Sequence, residues 1–198
     1  ALLVVDVIQS LGVIPLNVEA ELIDVAAGAS HKWLLAPEGV GYLYLSDRAR
    51  ERIVPTLVGW VSVVDPEDYE NFDQEWNRGA LAWETGTGPT ALIHGLEASL
   101  KVLSSVGTSA IASYLEQLTD HLCERLLARN YQLVSSRERE QKSQIVCIYP
   151  RANTSAMRLY GLLKSQNIIT APRIDRLRIA PHFYNTIDEI NTLVDSLS

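Results

Sequence analysis

The chain has 198 residues, 24 acidic against 17 basic side chains, a net charge of −7 and 47% apolar residues. A chain of this length can bury roughly 70% of the surface its unfolded form exposes, and its composition excludes a disordered tail, a collagen and a disulfide-stapled miniprotein. The acidic balance without a basic stripe argues against nucleic acid as the main partner, the apolar runs are too short to span a bilayer, and no charged lead precedes a long apolar core, so no secretory signal is read.

In chain order, the apolar run Ala1–Val5 predicts a strand buried on both faces. Asp6 sits at its carboxyl end, where ligands bind in open α/β sheets. An aspartate there can pair with a cation, although a turn or cap role is as good an explanation. Val25–Ser30 predicts a second buried strand, followed by Ser30-His31-Lys32-Trp33. A lysine just past a buried strand is well placed as a nucleophilic amine, yet any single lysine is by default a surface residue. Pro37 and Gly39 mark a turn before the β-rich Gly39–Leu45.

Residues 55–88 read as irregular, with Trp60, Trp76 and Trp83 among Pro, Gly, Asn and Asp. Glu84-Thr85-Gly86-Thr87-Gly88-Pro89 then opens a helix. Glycines and hydroxyls at a helix start form an anion cradle, and helix capping explains them equally well. Leu92, Leu96, Leu100 and Leu103 make one helical face from about Pro89 to Ser105, ended by Gly107.

A second helix is predicted over Ser109–Arg129, with Ile111, Leu115, Leu118, Leu122 and Leu126 on one side. Strands follow near Tyr131–Ser135 and Gln144–Tyr149, a helix near Thr154–Gln166, and strands near Ile168–Ala171 and Leu177–Ala180. A last helix spans Ile187–Leu197, with Thr186 and Glu189 as a capping box. Arg178, flanked by apolar residues on a strand, needs a partner. A bidentate carboxylate suits it, and an internal salt bridge is the ordinary alternative. His182 and Tyr184 serve equally well as pocket lining or as core.

Taken in order, Asp6-Val7-Ile8-Gln9, Ser30-His31-Lys32, Gly39-Val40-Gly41, Glu84–Pro89 and Arg178–Asn185 resemble the class V aminotransferase family of pyridoxal-phosphate enzymes across the whole chain. The resemblance implies an α/β fold. Residues 1–88 would be part of a fold type I large domain with a partial, mostly parallel sheet. Residues 89–107 would be a linking helix, and 108–198 a small α+β domain. It implies pyridoxal 5'-phosphate as cofactor, and an amino acid substrate transaminated, or eliminated or racemised at Cα.

Within that resemblance Asp6 pairs with the pyridine nitrogen and Gln9 with the ring oxygen. Lys32 forms the Schiff base and later moves protons. Ser30 and His31 bind the phosphate. Thr87 reaches the phosphate of a neighbouring subunit, so a homodimer shares its active sites. Trp60 is similar to a kynureninase tryptophan near that shared site, and Arg178 clamps the substrate α-carboxylate.

Two departures accompany the resemblance. Ile168–Leu177 holds no cysteine, and Cys123 and Cys147 lie on a predicted helix and strand, so cysteine desulfurase chemistry is disfavoured. The two cysteines form no CxxC pair and read as reduced thiols of a cytoplasmic protein. The chain also begins at the Asp6 strand, without the phosphate loop and ring-stacking residue that family members carry before it. It therefore reads as the C-terminal portion of a longer protein. The competing expectation is a truncated or non-catalytic chain that folds and dimerises without productive cofactor binding.

Overall fold

The computed structural model describes residues 1–197 and divides into two compact units, Ala1–Gly12 with Leu16–Ser105, and Val13–Pro15 with Val106 onward. In the first unit, β1 (Val4–Asp6), β2 (Val25–Ala29) and β3 (Gly41–Leu45) form a sheet in the order β1-β2-β3. β1 runs parallel to β2, with Asp6 opposite Ala27, and β3 runs antiparallel to β2, with Tyr42 opposite Gly28. Val7, Ile23 and Ala26 centre its core, packed against Val5, Leu11, Leu16, Val18, Tyr42 and Tyr44.

β1 is not buried on both faces as the apolar run predicted: Leu3 is 47% exposed and Val4 65%. Among the described residues it is an edge strand that pairs with β2 only. A buried acid holds the strand ends together instead. Asp24 is 2% exposed. It accepts hydrogen bonds from the Leu3 N–H at 2.8 Å and the Ser46 hydroxyl at 3.1 Å, and a bidentate pair from Arg48 at 2.7 and 2.5 Å. Arg48 lies in the short helix α1 (Asp47–Arg50), which Ser46 caps. The irregular stretch contains two 3₁₀ turns, Trp60–Ser62 and Gly79–Trp83, joined by a Val63–Trp76 bridge. α2 (Thr90–Val106) follows, and the predicted Leu92/Leu96/Leu100/Leu103 face buries only Leu103. The Ser99 hydroxyl in α2 donates to the Leu35 carbonyl at 2.9 Å.

The second unit is built on α3 (Thr108–Ala128). Its stripe Ile111, Leu115, Leu118, Leu122 and Leu126 is 2% exposed or less at every position. β4 (Val146–Ile148), β5 (Ala171–Arg173) and β6 (Arg176–Ile179) form an antiparallel sheet in the order β4-β6-β5, with α4 (Ala156–Ser165) and α5 (Ile187–Asp195) completing the unit. The capping box at Thr186 and Glu189 is present.

Two predicted strands come out differently. Tyr131–Ser135 runs beside β4 but makes a single bridge, Leu133 to Ile148. The Ser135 hydroxyl takes the Cys147 N–H that a ladder carbonyl would otherwise accept. The strand expected at Ile168 starts instead at Ala171, because the Ile168 N–H still closes the end of α4 on the Leu163 carbonyl. No described helix is long and apolar enough to cross a membrane.

Candidate active site

Because β1 and β2 are parallel, Asp6 and the turn after Ala29 leave the sheet at the same carboxyl end. Asp6 is exposed, and its Oδ1 accepts the Ile8 N–H at 3.0 Å, an Asx turn that starts the Ile8–Gly12 loop. Burial, and then the charge of Asp6, push the Tyr42 hydroxyl above its usual pKa.

The turn after β2 alternates in a way that explains what it presents. Ser30 is fully buried, His31 and Lys32 are exposed, and Trp33 and Leu34 are buried again. The Ser30 N–H donates to the Val40 carbonyl at 3.0 Å and its carbonyl accepts the Ala36 N–H at 3.1 Å. Anchored by these two bonds, the turn leaves His31 and Lys32 exposed. The Ser30 hydroxyl is closed off, with no hydrogen-bond partner among the described residues. Gln9 Oε1 accepts the Trp33 indole N–H at 2.9 Å, which joins the loop after Asp6 to the turn that carries Lys32.

Trp60 and the Thr87 loop are brought together in the same unit. Ser62 Oγ donates to the Glu84 carbonyl and accepts the Gly59 N–H at 3.0 Å. A side chain at Gly59 would collide with the Thr85 carbonyl, so the approach of the two segments requires glycine there. Trp60 is 47% exposed, and Thr87 is exposed just before α2.

Arg178 belongs to the second unit, in the middle of β6. Leu177 and Ile179 turn into the core at 0 and 3% exposure, so Arg178 takes the opposite face, across from Cys147 on β4 and Ala171 on β5. Its Nε is buried without a partner, and no salt bridge to it exists among the described residues. The internal salt bridge that would explain it structurally is therefore not seen there. Two side chains were missed by the sequence reading. Trp33 could have been found from the need of a buried indole N–H for an acceptor. Cys147 could not have been placed beside Arg178 without the β4–β6 register.

A family model described as aminotransferase class-V matches residues 1–171. The chain belongs to that family. It is 29% identical to an uncharacterized aminotransferase, YcbU, of Bacillus subtilis (strain 168), over 100% of this chain and 51% of that protein. It is 30% identical to an isopenicillin N epimerase of Streptomyces clavuligerus, over 98% of this chain and 51% of that one. The chain spans about half the length of these curated relatives.

Among solved structures, a cysteine desulfurase from Thermococcus onnurineus NA1 matches with a TM-score of 0.89 at 22% identity, covering 98% of this chain and 51% of that one. This likeness concerns the fold. The cystine C-S lyase C-DES, in a mutant carrying glycine covalently linked to its PLP cofactor, matches with a TM-score of 0.86 at 25% identity, over 96% of this chain and 49% of that one. The fold is accordingly part of a fold type I pyridoxal-phosphate enzyme. Family and neighbours support pyridoxal 5'-phosphate as the cofactor. The donor set at the β1–β2 edge fits it: a carboxylate, an amide, an imidazole and a primary amine leave one end of one sheet.

Proposed function

We propose that the protein acts on an amino acid with pyridoxal 5'-phosphate, by transamination or by elimination or racemisation at Cα. The observation that carries this reading is the common origin of Asp6, Gln9 and Lys32 at the carboxyl end of two parallel strands. When bound, the cofactor supplies an electron sink for the substrate Cα. Asp6 would hold a proton at the pyridine nitrogen, and Gln9 would donate to the ring oxygen. Lys32 would supply the amine that holds the cofactor at its aldehyde position and would take and return the proton at the substrate Cα.

His31 serves the phosphate, while Ser30, closed off in its turn, positions the two residues after it. Thr87 and Trp60 are assigned to a site shared across a homodimer, supported by their exposed, mutually stitched loops. Arg178 takes the substrate α-carboxylate, supported by its unpartnered Nε. The two-residue turn between β5 and β6 has no cysteine, which supports leaving persulfide chemistry out. A cytoplasmic location belongs to the same reading, supported by two free thiols.

A second reading, a chain that folds and self-associates without productive cofactor binding, is favoured by the closed-off Ser30 hydroxyl and by apolar side chains left open, such as Phe72 at 96% and Leu57 at 80% exposure. One experiment separates the two. Addition of pyridoxal 5'-phosphate is expected to give a visible absorption band that borohydride bleaches and that Lys32→Ala lacks. Equal spectra for the parent and Lys32→Ala proteins would favour the second reading.

A further inference from the structure

Trp33 donates its indole N–H to Gln9 Oε1 across 24 positions of sequence. It is 7% exposed and follows directly on Lys32. A second contact closes the same two segments. Gly12 has φ +98, and a side-chain carbon there would lie 2.8 Å from the Trp33 carbonyl oxygen and 2.9 Å from a Leu34 methyl. The Gln9–Gly12 loop and the Trp33–Leu34 turn therefore meet at contact distance at two points.

The chemistry of this bond decides an orientation. An indole nitrogen only donates, whereas a glutamine amide has one accepting end and one donating end. The end facing Trp33 must be the oxygen, so what Gln9 presents away from Trp33 is its NH2. A glutamine without such a partner can turn either end outward. Toward an anionic ring oxygen the two ends have opposite effects: the NH2 attracts and the carbonyl oxygen repels.

We propose that Trp33 is a positioning residue that fixes Gln9 as an N–H donor toward the ring oxygen of pyridoxal 5'-phosphate and holds that donor in register with Lys32. The proposal rests on the function proposed above. A donor at the ring oxygen spreads its negative charge. The proton on the lysine–cofactor linkage is then held less tightly, and its pKa falls. Loss of the donor raises that pKa.

The test has two arms. In the chain without cofactor, hydrogen exchange of the Trp33 indole is followed by NMR. Exchange is expected to quicken about tenfold in Gln9→Leu, the size of one lost hydrogen bond, and to stay slow in Gln9→Glu, whose carboxylate still accepts from Trp33. With pyridoxal 5'-phosphate added, the pH titration of the visible band is compared. Gln9→Glu keeps the acceptor and lacks the donor, and Trp33→Phe removes the indole donor that faces the amide oxygen. Both are expected to move the midpoint upward, by about one unit or more for Gln9→Glu.

Unchanged indole exchange in Gln9→Leu overturns the proposal even if Trp33→Phe folds poorly. A parent band whose midpoint ignores Trp33→Phe overturns the proposal and leaves the proposed function standing. Absence of any band in the parent overturns both.

Discussion

The two units solve the burial problem differently. Of the largest side chains less than 2% exposed, all but Val7 belong to the second unit. There the α3 stripe is joined by Val146, Ile148, Leu163 and Leu177 among the fully buried side chains, each at 0%. The first unit carries comparable apolar content but leaves Leu22, Val54, Leu57 and Phe72 more than 70% exposed, against Ile169 and Ile174 in the second. What orders the first unit is polar: the Asp24 clamp, the Ser30 anchors, the Gln9–Trp33 bond and the Ser62 stitch. The candidate chemistry at Asp6 and Lys32 is therefore held by hydrogen bonds rather than by a deep core, so single polar substitutions should act on it strongly.

All four tryptophans (Trp33, Trp60, Trp76 and Trp83) lie in the first unit, whereas α3, α4 and α5 lie in the second. Tryptophan fluorescence thus follows one unit, and helical circular dichroism weights the other. The largest expected effect is Leu118→Ala, which empties a site at 0% exposure in α3. It should cost about 2–5 kcal/mol in the helical transition. Leu57→Ala, at 80% exposure, should change the fluorescence transition by no more than about 0.5 kcal/mol. Equal costs would remove the distinction between the units.

Next in size is Asp24→Asn. The Arg48 hydrogen bonds, followed by the Leu3 N–H, hold the Asp24 carboxyl well below its ordinary value of 3.8. A lowered native pKa gives stability that is fully present above the ordinary value and is lost as pH falls below it toward the native pKa. Asp24→Asn should therefore lower the fluorescence-detected urea midpoint at pH 7, and its deficit relative to the parent should shrink below about pH 3.8. A pH-independent deficit would assign the loss to packing. The smallest effect belongs to Thr186→Ala, which removes the cap of α5 and should cost about 1 kcal/mol in the helical transition alone.

How much was legible in the sequence follows the same division. The α3 stripe and the Thr186 capping box were readable because both are local periodicities that the second unit then buries. The Ala1–Val5 run misled because apolarity marks a strand without saying how many neighbours it has. The start of β5 was hidden because the closure of α4 at Ile168 is a backbone event. At the candidate site, the order Asp6, Gln9, Lys32 was visible as a motif. The closure of the Ser30 hydroxyl depends on Val40 and Ala36, and the placing of Cys147 opposite Arg178 depends on register. Neither has a local signature.

The central claim is that Lys32 is the amine that takes the cofactor. Its most direct test is borohydride reduction of the protein with pyridoxal 5'-phosphate, followed by peptide mass spectrometry over its four lysines, Lys32, Lys101, Lys142 and Lys164. A stoichiometric reduced adduct on the peptide containing Lys32 alone is expected. An adduct spread evenly over the other three lysines, or none on Lys32, would contradict it.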